Sequence, residues 1–453
     1  MKKTVIYIIL SGWMFAGCGT YSRYHRPDLS TENLYRDVPA DIDTTTIASL
    51  SWREMFTDPK LQSLIETGLE RNTDLNVARL RVEAAEAALL TAKLSYLPSL
   101  GLNAEGNANK HDGVTAKTYN VGASASWELD IFGKLTAAKR GAAAALQGSR
   151  AYRQAVQTQL VATIADSYYT LAMLDAQMAI SNRTLENWRT TVRTLEALKK
   201  VGKSNEAGVL QAKANMMKLE ASLLSIRKSI SETENALSAI LAMPSHSIER
   251  SNLAEAAFPD TVSIGVPLQL LSNRPDVRQA EMELTQAFYA TNAARAAFYP
   301  NITLSGALGW TNNGGGVIVN PGQWLLNAIG SLTQPLFNRG ANIANLKIAK
   351  TRQEEAKLLF QQSLLNAGKE VNDALAAWQT AKSQIEINAR QVETLCDAVR
   401  KTESLMRHSN TTYLEVLTAQ QSLLEAEVQQ LQTLFERIQS VIKLYHALGG
   451  GRI

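Results

Sequence analysis

Cysteine is almost absent from this chain: Cys18 and Cys396 are the two in 453 residues. Cys18 closes an N-terminal apolar stretch, which leaves a single thiol, and no internal disulfide braces the chain. Cys396 falls within a helical pattern and reads as a small buried apolar residue. Histidine is scarce as well. His25, His111, His246, His408 and His446 are scattered, with no second ligand at helical spacing to suggest a metal site. A phosphate-cradling GxxxxGKS/T loop, a GxSxG elbow and an HExxH helix are all missing, which points away from an enzyme and from a bound cofactor. Net charge is low, +4, and falls to +2 once Lys2 and Lys3 leave with residues 1–17; that is no footprint for nucleic acid. Beyond the N-terminus no apolar run approaches ~18 residues. No transmembrane helix is available, so any membrane crossing must be made by strands.

Glycine and proline are missing from Lys369–Leu448 altogether, and these two residues most often end a helix. A heptad fills the end of that stretch: Leu417, Leu424, Leu431, Ile438 and Tyr445 at one position, Val428, Phe435 and Ile442 at the other. Seven-residue spacing holds one seam toward a partner helix, as in a coiled coil. Upstream, residues 341–407 predict one helix on the order of 100 Å long at ~1.5 Å per residue, with Gly368 its weak point. His408-Ser409-Asn410-Thr411-Thr412 is the hinge before a return helix over 413–448.

The N-terminus is a targeting segment. Lys2 and Lys3 precede an apolar run, Val5 to Phe15, and Ala16-Gly17-Cys18 resembles a bacterial lipoprotein cleavage box. Residues 1–17 are then the signal, and Cys18 carries a covalent lipid; an ordinary secretory signal with an incidental cysteine is the alternative. Residues 18–60, with Pro27, Pro39 and Pro59, read as an extended lead-in, followed by a helical pattern from Leu61 to Leu97. Period two then takes over. Apolar and polar residues alternate over 100–109 and 118–129, each about the ~10 residues that a tilted strand needs to cross a bilayer. Lys110 to Lys117 reads as the loop between them.

The same order occurs twice. Leu97-Pro98 is matched by Tyr299-Pro300, and strands over 301–310 and 324–333 flank a glycine-rich loop, 312–323. Leu129-Asp130-Ile131-Phe132-Gly133 is echoed by Gln334-Pro335-Leu336-Phe337-Asn338. Long helices over 137–201 and 341–407 each meet a hinge and a return helix, 205–243 and 413–448. The first return helix carries its own heptad: Val209, Met216, Leu223, Ile230 and Leu237 with Ala212, Leu219, Ile226 and Ile240. Repeat 1 therefore spans 61–243, an equatorial segment 244–273, repeat 2 274–448 and a tail 449–453. Four strands cannot close a barrel, and an open sheet edge in lipid leaves backbone groups unpaired at several kcal/mol each. If the strands enter a membrane, several copies of the chain must pool them; an amphipathic hairpin on a soluble core is the competing reading of each strand pair.

These motifs together resemble the TolC-type outer-membrane factors, in the lipoprotein branch serving tripartite multidrug pumps. The similarity runs from Trp52 to the C-terminus. It is carried by Ser51-Trp52-Arg53-Glu54 with Asp58-Pro59, Arg274-Pro275-Asp276-Val277-Arg278-Gln279-Ala280-Glu281, Phe298-Tyr299-Pro300 and Ala447-Leu448-Gly449-Gly450-Gly451. By itself, Arg274-Pro275-Asp276 reads as no more than a helix start. The resemblance implies a mainly α fold: a homotrimer whose twelve pooled strands form an outer-membrane β-barrel, continuous with a periplasmic helical coiled-coil barrel. It implies a passive exit duct, embedded in outer-membrane lipid, that docks a periplasmic membrane-fusion adaptor and an inner-membrane RND-type transporter. Adaptor docking falls on the tips, at Val201, Gly202, Lys203 and Ser204 and at Arg407, Ser409 and Asn410, where serine and asparagine replace the family's second glycine. A periplasmic constriction falls on Glu415, with Thr418 and Thr411 where some members have a second acid and an arginine. Three Glu415 side chains in a ring would favour cations; a solvated surface glutamate is the competing reading. A type I secretion channel for polypeptides and a periplasmic coiled-coil scaffold lipoprotein are the alternatives, and cargo stays open.

Overall fold

The computed structural model describes residues 21–28, 50–202, 204–255, 258, 274–311, 323–407 and 413–451. In chain order the elements are α1 (Trp52–Met55), α2 (Pro59–Arg71), α3 (Thr73–Leu94), β1 (Ser99–His111), β2 (Val114–Leu129), α4 (Lys134–Lys200) and α5 (Glu206–Ile240). After a short 3-10 turn come α6 (Pro275–Ala296), β3 (Asn301–Thr311), β4 (Gln323–Thr333), α7 (Ala341–Arg407) and α8 (Tyr413–Ala447). The internal repeat shows in the lengths: α4 and α7 have 67 residues each, α5 and α8 have 35 each.

Three local departures from the sequence reading have local causes. One helix expected over 61–97 is two, because Asn72 ends α2: its Oδ1 accepts from Leu75 N (2.9 Å) and its Nδ2 donates to Ile240 O (2.8 Å). The loop expected at 110–117 is mostly strand. Asp112 and Gly113 alone turn the β1–β2 hairpin, both at positive φ (49° and 79°), as a tight two-residue turn of that hand requires. The echo of Leu129–Gly133 lies two residues further on than motif matching placed it. Gly133 (φ 75°) corresponds to Gly340 (φ 76°), and each immediately precedes its long helix.

The chain folds as two compact units. The first, residues 1–30, 79–152 and 278–363, contains the antiparallel sheet, ordered β1-β2-β3-β4. The second, residues 31–78, 153–277 and 364–453, is helical. Its core joins Trp52, Phe56, Leu61 and Ile65 to Tyr168, Leu237, Ile438 and Tyr445. On α5 the heptad residues Val209, Leu219, Leu223, Ile226, Ile230 and Leu237 are buried, as coiled-coil packing demands. Cys396 is exposed, against expectation. The inward seam of α7 carries Asn388, Val392, Leu395 and Val399, and one residue further along a helix turns the side chain by about 100° away from it.

Candidate functional site

Strand register decides what the sheet can do. Leu102 lies opposite Ala123, Ala123 opposite Leu308, and Leu308 opposite Leu326, so the alternating residues of all four strands fall in line. One face carries Leu100, Leu102, Val121, Trp127, Ile302, Leu304, Trp310, Leu326 and Leu332. The other carries Asn103, Glu105, Ser124, Ser126, Thr303, Ser305 and Asn327, with Ile329 of β4, opposite Ser305, as an apolar exception. From Ile302 to Trp310 the apolar face extends ~27 Å along the strand at ~3.4 Å per residue, which at a tilt of ~40° spans ~20 Å, most of a ~25 Å apolar band. Trp310 and Trp324 meet at one end (centroids 4.6 Å apart); at the other, Trp127 Nε1 donates to Tyr96 O (2.9 Å). That is an aromatic anchor at each edge of the band. β1 and β4 are the open edges of the sheet within this chain.

The junction between sheet and helices is built from both repeats. Asp130 caps α4, its carboxylate accepting from Leu135 N (2.8 Å) and Thr136 N (2.7 Å). Phe132 of the first copy stacks on Tyr299 of the second at 5.0 Å. Extended residues 21–28 run antiparallel along α6: Ser22 O accepts from Asn292 Nδ2 (2.8 Å), Tyr24 meets Phe288 edge-on (5.7 Å), and Arg26 pairs with Glu281 (3.4 Å). The strip therefore heads, toward its N-terminal end, for the strands. Cys18 lies outside the described residues.

At the first tip, Gly202 takes a positive φ of 75° and donates to Lys199 O (3.0 Å). Val201 is exposed, Ser204 is half-buried, and Asn205 caps α5 by accepting from Gly208 N (2.9 Å). Lys203, Ser409, Asn410 and Thr411 lie outside the described residues, and α7 ends at Arg407. Glu415 and Thr418 are exposed one turn apart on α8, whereas Val416 and Leu417 are buried, so the structure brings those two onto one exposed side of the helix. Sequence reasoning missed Gly208. The Tyr413 ring lies so close that a β-carbon at Gly208 would fall 2.6 Å from Cε2, bringing α5 and α8 into close contact beside the hinge. A glycine near the start of a helix was the available signal.

Reasoning from sequence also undersold Arg274. Its side chain is 4% exposed and donates to Asp276 Oδ1 and Oδ2 (3.0 and 2.8 Å), Glu370 Oε2 (2.7 Å) and Ala447 O (2.8 Å). One guanidinium thus joins the start of α6 to α7 and to the end of α8. His446 lies next to it in the chain's last helical turn, and burial, then the Arg274 charge, hold its pKa below the ordinary value. Among the described residues no group of histidine, cysteine and carboxylate side chains could hold a metal ion.

The model of the outer membrane efflux protein family matches residues 64–243 and 266–450, one segment for each repeat. The chain belongs to that family. The probable outer membrane lipoprotein SilC of Salmonella typhimurium is 30% identical over 468 residues, covering 100% of this chain and 99% of SilC. The cation efflux system protein CusC of Escherichia coli O6:H1 is 31% identical over 410 residues, covering 88% of each. Among solved structures, the outer-membrane channel OprN superposes with a TM-score of 0.88 at 27% identity, over 96% of this chain and 99% of that one. The efflux protein is thus an outer-membrane exit channel, mainly helical, with four barrel strands per chain and a helical part in the periplasm. Members of the family are channels, and the two-faced sheet is the membrane-crossing part of this one.

Proposed function

We propose that three copies pool their strands into a twelve-stranded barrel, and that this trimer is the passive exit of a tripartite efflux assembly. The carrying observation is the sheet: apolar on one face, largely polar on the other, with two open edges that lipid cannot satisfy. A coiled-coil scaffold has no use for such a sheet. An intact barrel trimer resists carbonate extraction and runs as a heat-sensitive oligomer on a gel; a carbonate-soluble monomer would end this reading. Energy comes from partners, a periplasmic adaptor docking at Val201–Ser204 and Arg407–Asn410 and an inner-membrane RND-type transporter. Cargo is toxic small molecules. Metal cations are the second reading, favoured by the name of CusC. Loss of the gene would then sensitise cells to metal salts and not to detergents or dyes.

Cys18 is the lipid anchor of this assembly. Support comes from the strip at 21–28: Tyr21 packs over Gly133 beside the end of β2, and Cys18 is three residues away, within ~11 Å at ~3.6 Å per residue. Cys18→Ala abolishes incorporation of radiolabelled palmitate; undiminished labelling of that variant would remove the anchor. Glu415 lines the periplasmic constriction with Thr418, and threefold repetition there concentrates negative charge at a narrow point. Glu415→Ala lowers cation-over-anion permeability severalfold in single-channel recordings of the reconstituted trimer, and unchanged selectivity would return Glu415 to the outer surface.

A further inference from the structure

The internal repeat fixes more than the fold of one chain: it specifies how β4 meets the next copy. Two correspondences are written into the structure. Trp127 Nε1 donates to Tyr96 O (2.9 Å), and Gln334 Nε2 donates to Phe298 O (3.2 Å), the same bond in each copy. Each bond joins the end of one strand to the helix–strand corner that precedes its hairpin. Gly133 with Gly340 and the starts of α4 and α7 give the same alignment of β2 with β4, and Pro98 with Pro300 aligns β1 with β3. The two hairpin registers agree: Ser126 faces Ser99 in the first copy, and Thr333 faces Asn301 in the second.

Within the chain, β2 pairs with β3, for instance Trp127 with Leu304 and Leu129 with Ile302. Around a pseudo-symmetric barrel the equivalent junction is β4 against β1 of a second copy. Carrying the β2–β3 register across the repeat, we infer that β4 pairs antiparallel with β1 of the neighbouring chain, Leu332 opposite Ala104, Ser331 opposite Glu105 and Thr333 opposite Asn103. This inference rests on the pooled-barrel reading and adds its register.

Two independent features fit. The transferred pairing keeps parity: Leu332 and Ala104 both belong to the apolar face, Ser331 and Glu105 both to the polar one, whereas a slip by one residue would put an apolar face against a polar one. It also brings Leu336, in the bend just past the end of β4, toward Leu100. Those two side chains are 93% and 82% exposed in the single chain, while their equivalents Leu129 and Ile302 are half-buried. The second copy covers what one copy leaves bare.

Disulfide trapping in the full-length lipoprotein tests the register. With Cys396→Ser as background, Ser331→Cys is combined with Glu105→Cys, Asn103→Cys or Asn107→Cys, and Leu332→Cys with Ala104→Cys covers the other class of ladder position. Facing residues have Cβ atoms ~5 Å apart and diagonal ones ~7–8 Å, so only facing pairs should link efficiently. Covalent oligomers on a non-reducing gel are expected at least tenfold more abundant for Ser331→Cys with Glu105→Cys, or for Leu332→Cys with Ala104→Cys, than for the two shifted pairs. Preferential linking of a shifted pair in a protein that still runs as a heat-sensitive trimer overturns the register and leaves the barrel standing. Absence of the oligomer in the background protein overturns the barrel itself.

Discussion

Gly309→Val is expected to abolish the heat-sensitive oligomer and leave the chain in the carbonate-soluble fraction. Gly309 lies opposite Gly122, and here β2 and β3 approach more closely than side chains allow. A β-carbon on Gly309 would meet Val121 O and stand 2.7 Å from Gly122 Cα; one on Gly122 would stand 2.7 Å from Leu308 O. Both obstacles are backbone, so no rotamer relieves them. The strands must separate, and a strand pair forced apart in lipid loses hydrogen bonds at several kcal/mol for each unsatisfied group. Ala123→Val is the matched control, because that β2 position, opposite Leu308 in the same strand pair, already carries an exposed β-carbon. Normal assembly of Gly309→Val on that gel would show that the close approach is dispensable.

Arg274→Ala should lower the urea midpoint for loss of helical circular dichroism, with a cost of ~3 kcal/mol, since hydrogen bonds to charged groups are worth ~1.5–3 kcal/mol each and are not additive. Asp276 and Glu370 are each about half exposed, so water partly takes over their solvation and holds the cost below that of a fully buried pair. Arg274→Lys should recover little, because an ammonium cannot grip Asp276 with two parallel bonds while reaching Ala447 O. An unchanged midpoint for Arg274→Ala would make the arginine a passenger. His446 adds a pH signature. Its folded pKa is depressed, so its contribution is present above the ordinary value of 6.5 and is lost as pH falls through the depressed one. Stability should decline on acidification below about 6.5, less so in His446→Gln.

Much of this was legible from residue order. The absence of glycine and proline from Lys369–Leu448, together with the heptads, forecast α7 and α8 with little error, because helix length and coiled-coil seams depend on local periodicity. Period two gave the strands, and the doubled motif gave the repeat. Where the forecast slipped, a side chain acted through space or backbone geometry took over. Asn72 reaches Ile240, Asp112-Gly113 turns within two residues, and Arg274 gathers partners from Asp276, Glu370 and Ala447.

The amino-acid order alone determined the element types and the twofold plan, since periodicity and repetition are properties of one chain. Only the tertiary structure decided which face each strand residue takes, which glycines must stay bare, and which residues of β2 and β4 correspond. Those depend on register, and register is set by contacts between strands far apart in sequence, where a slip of one residue exchanges the two faces.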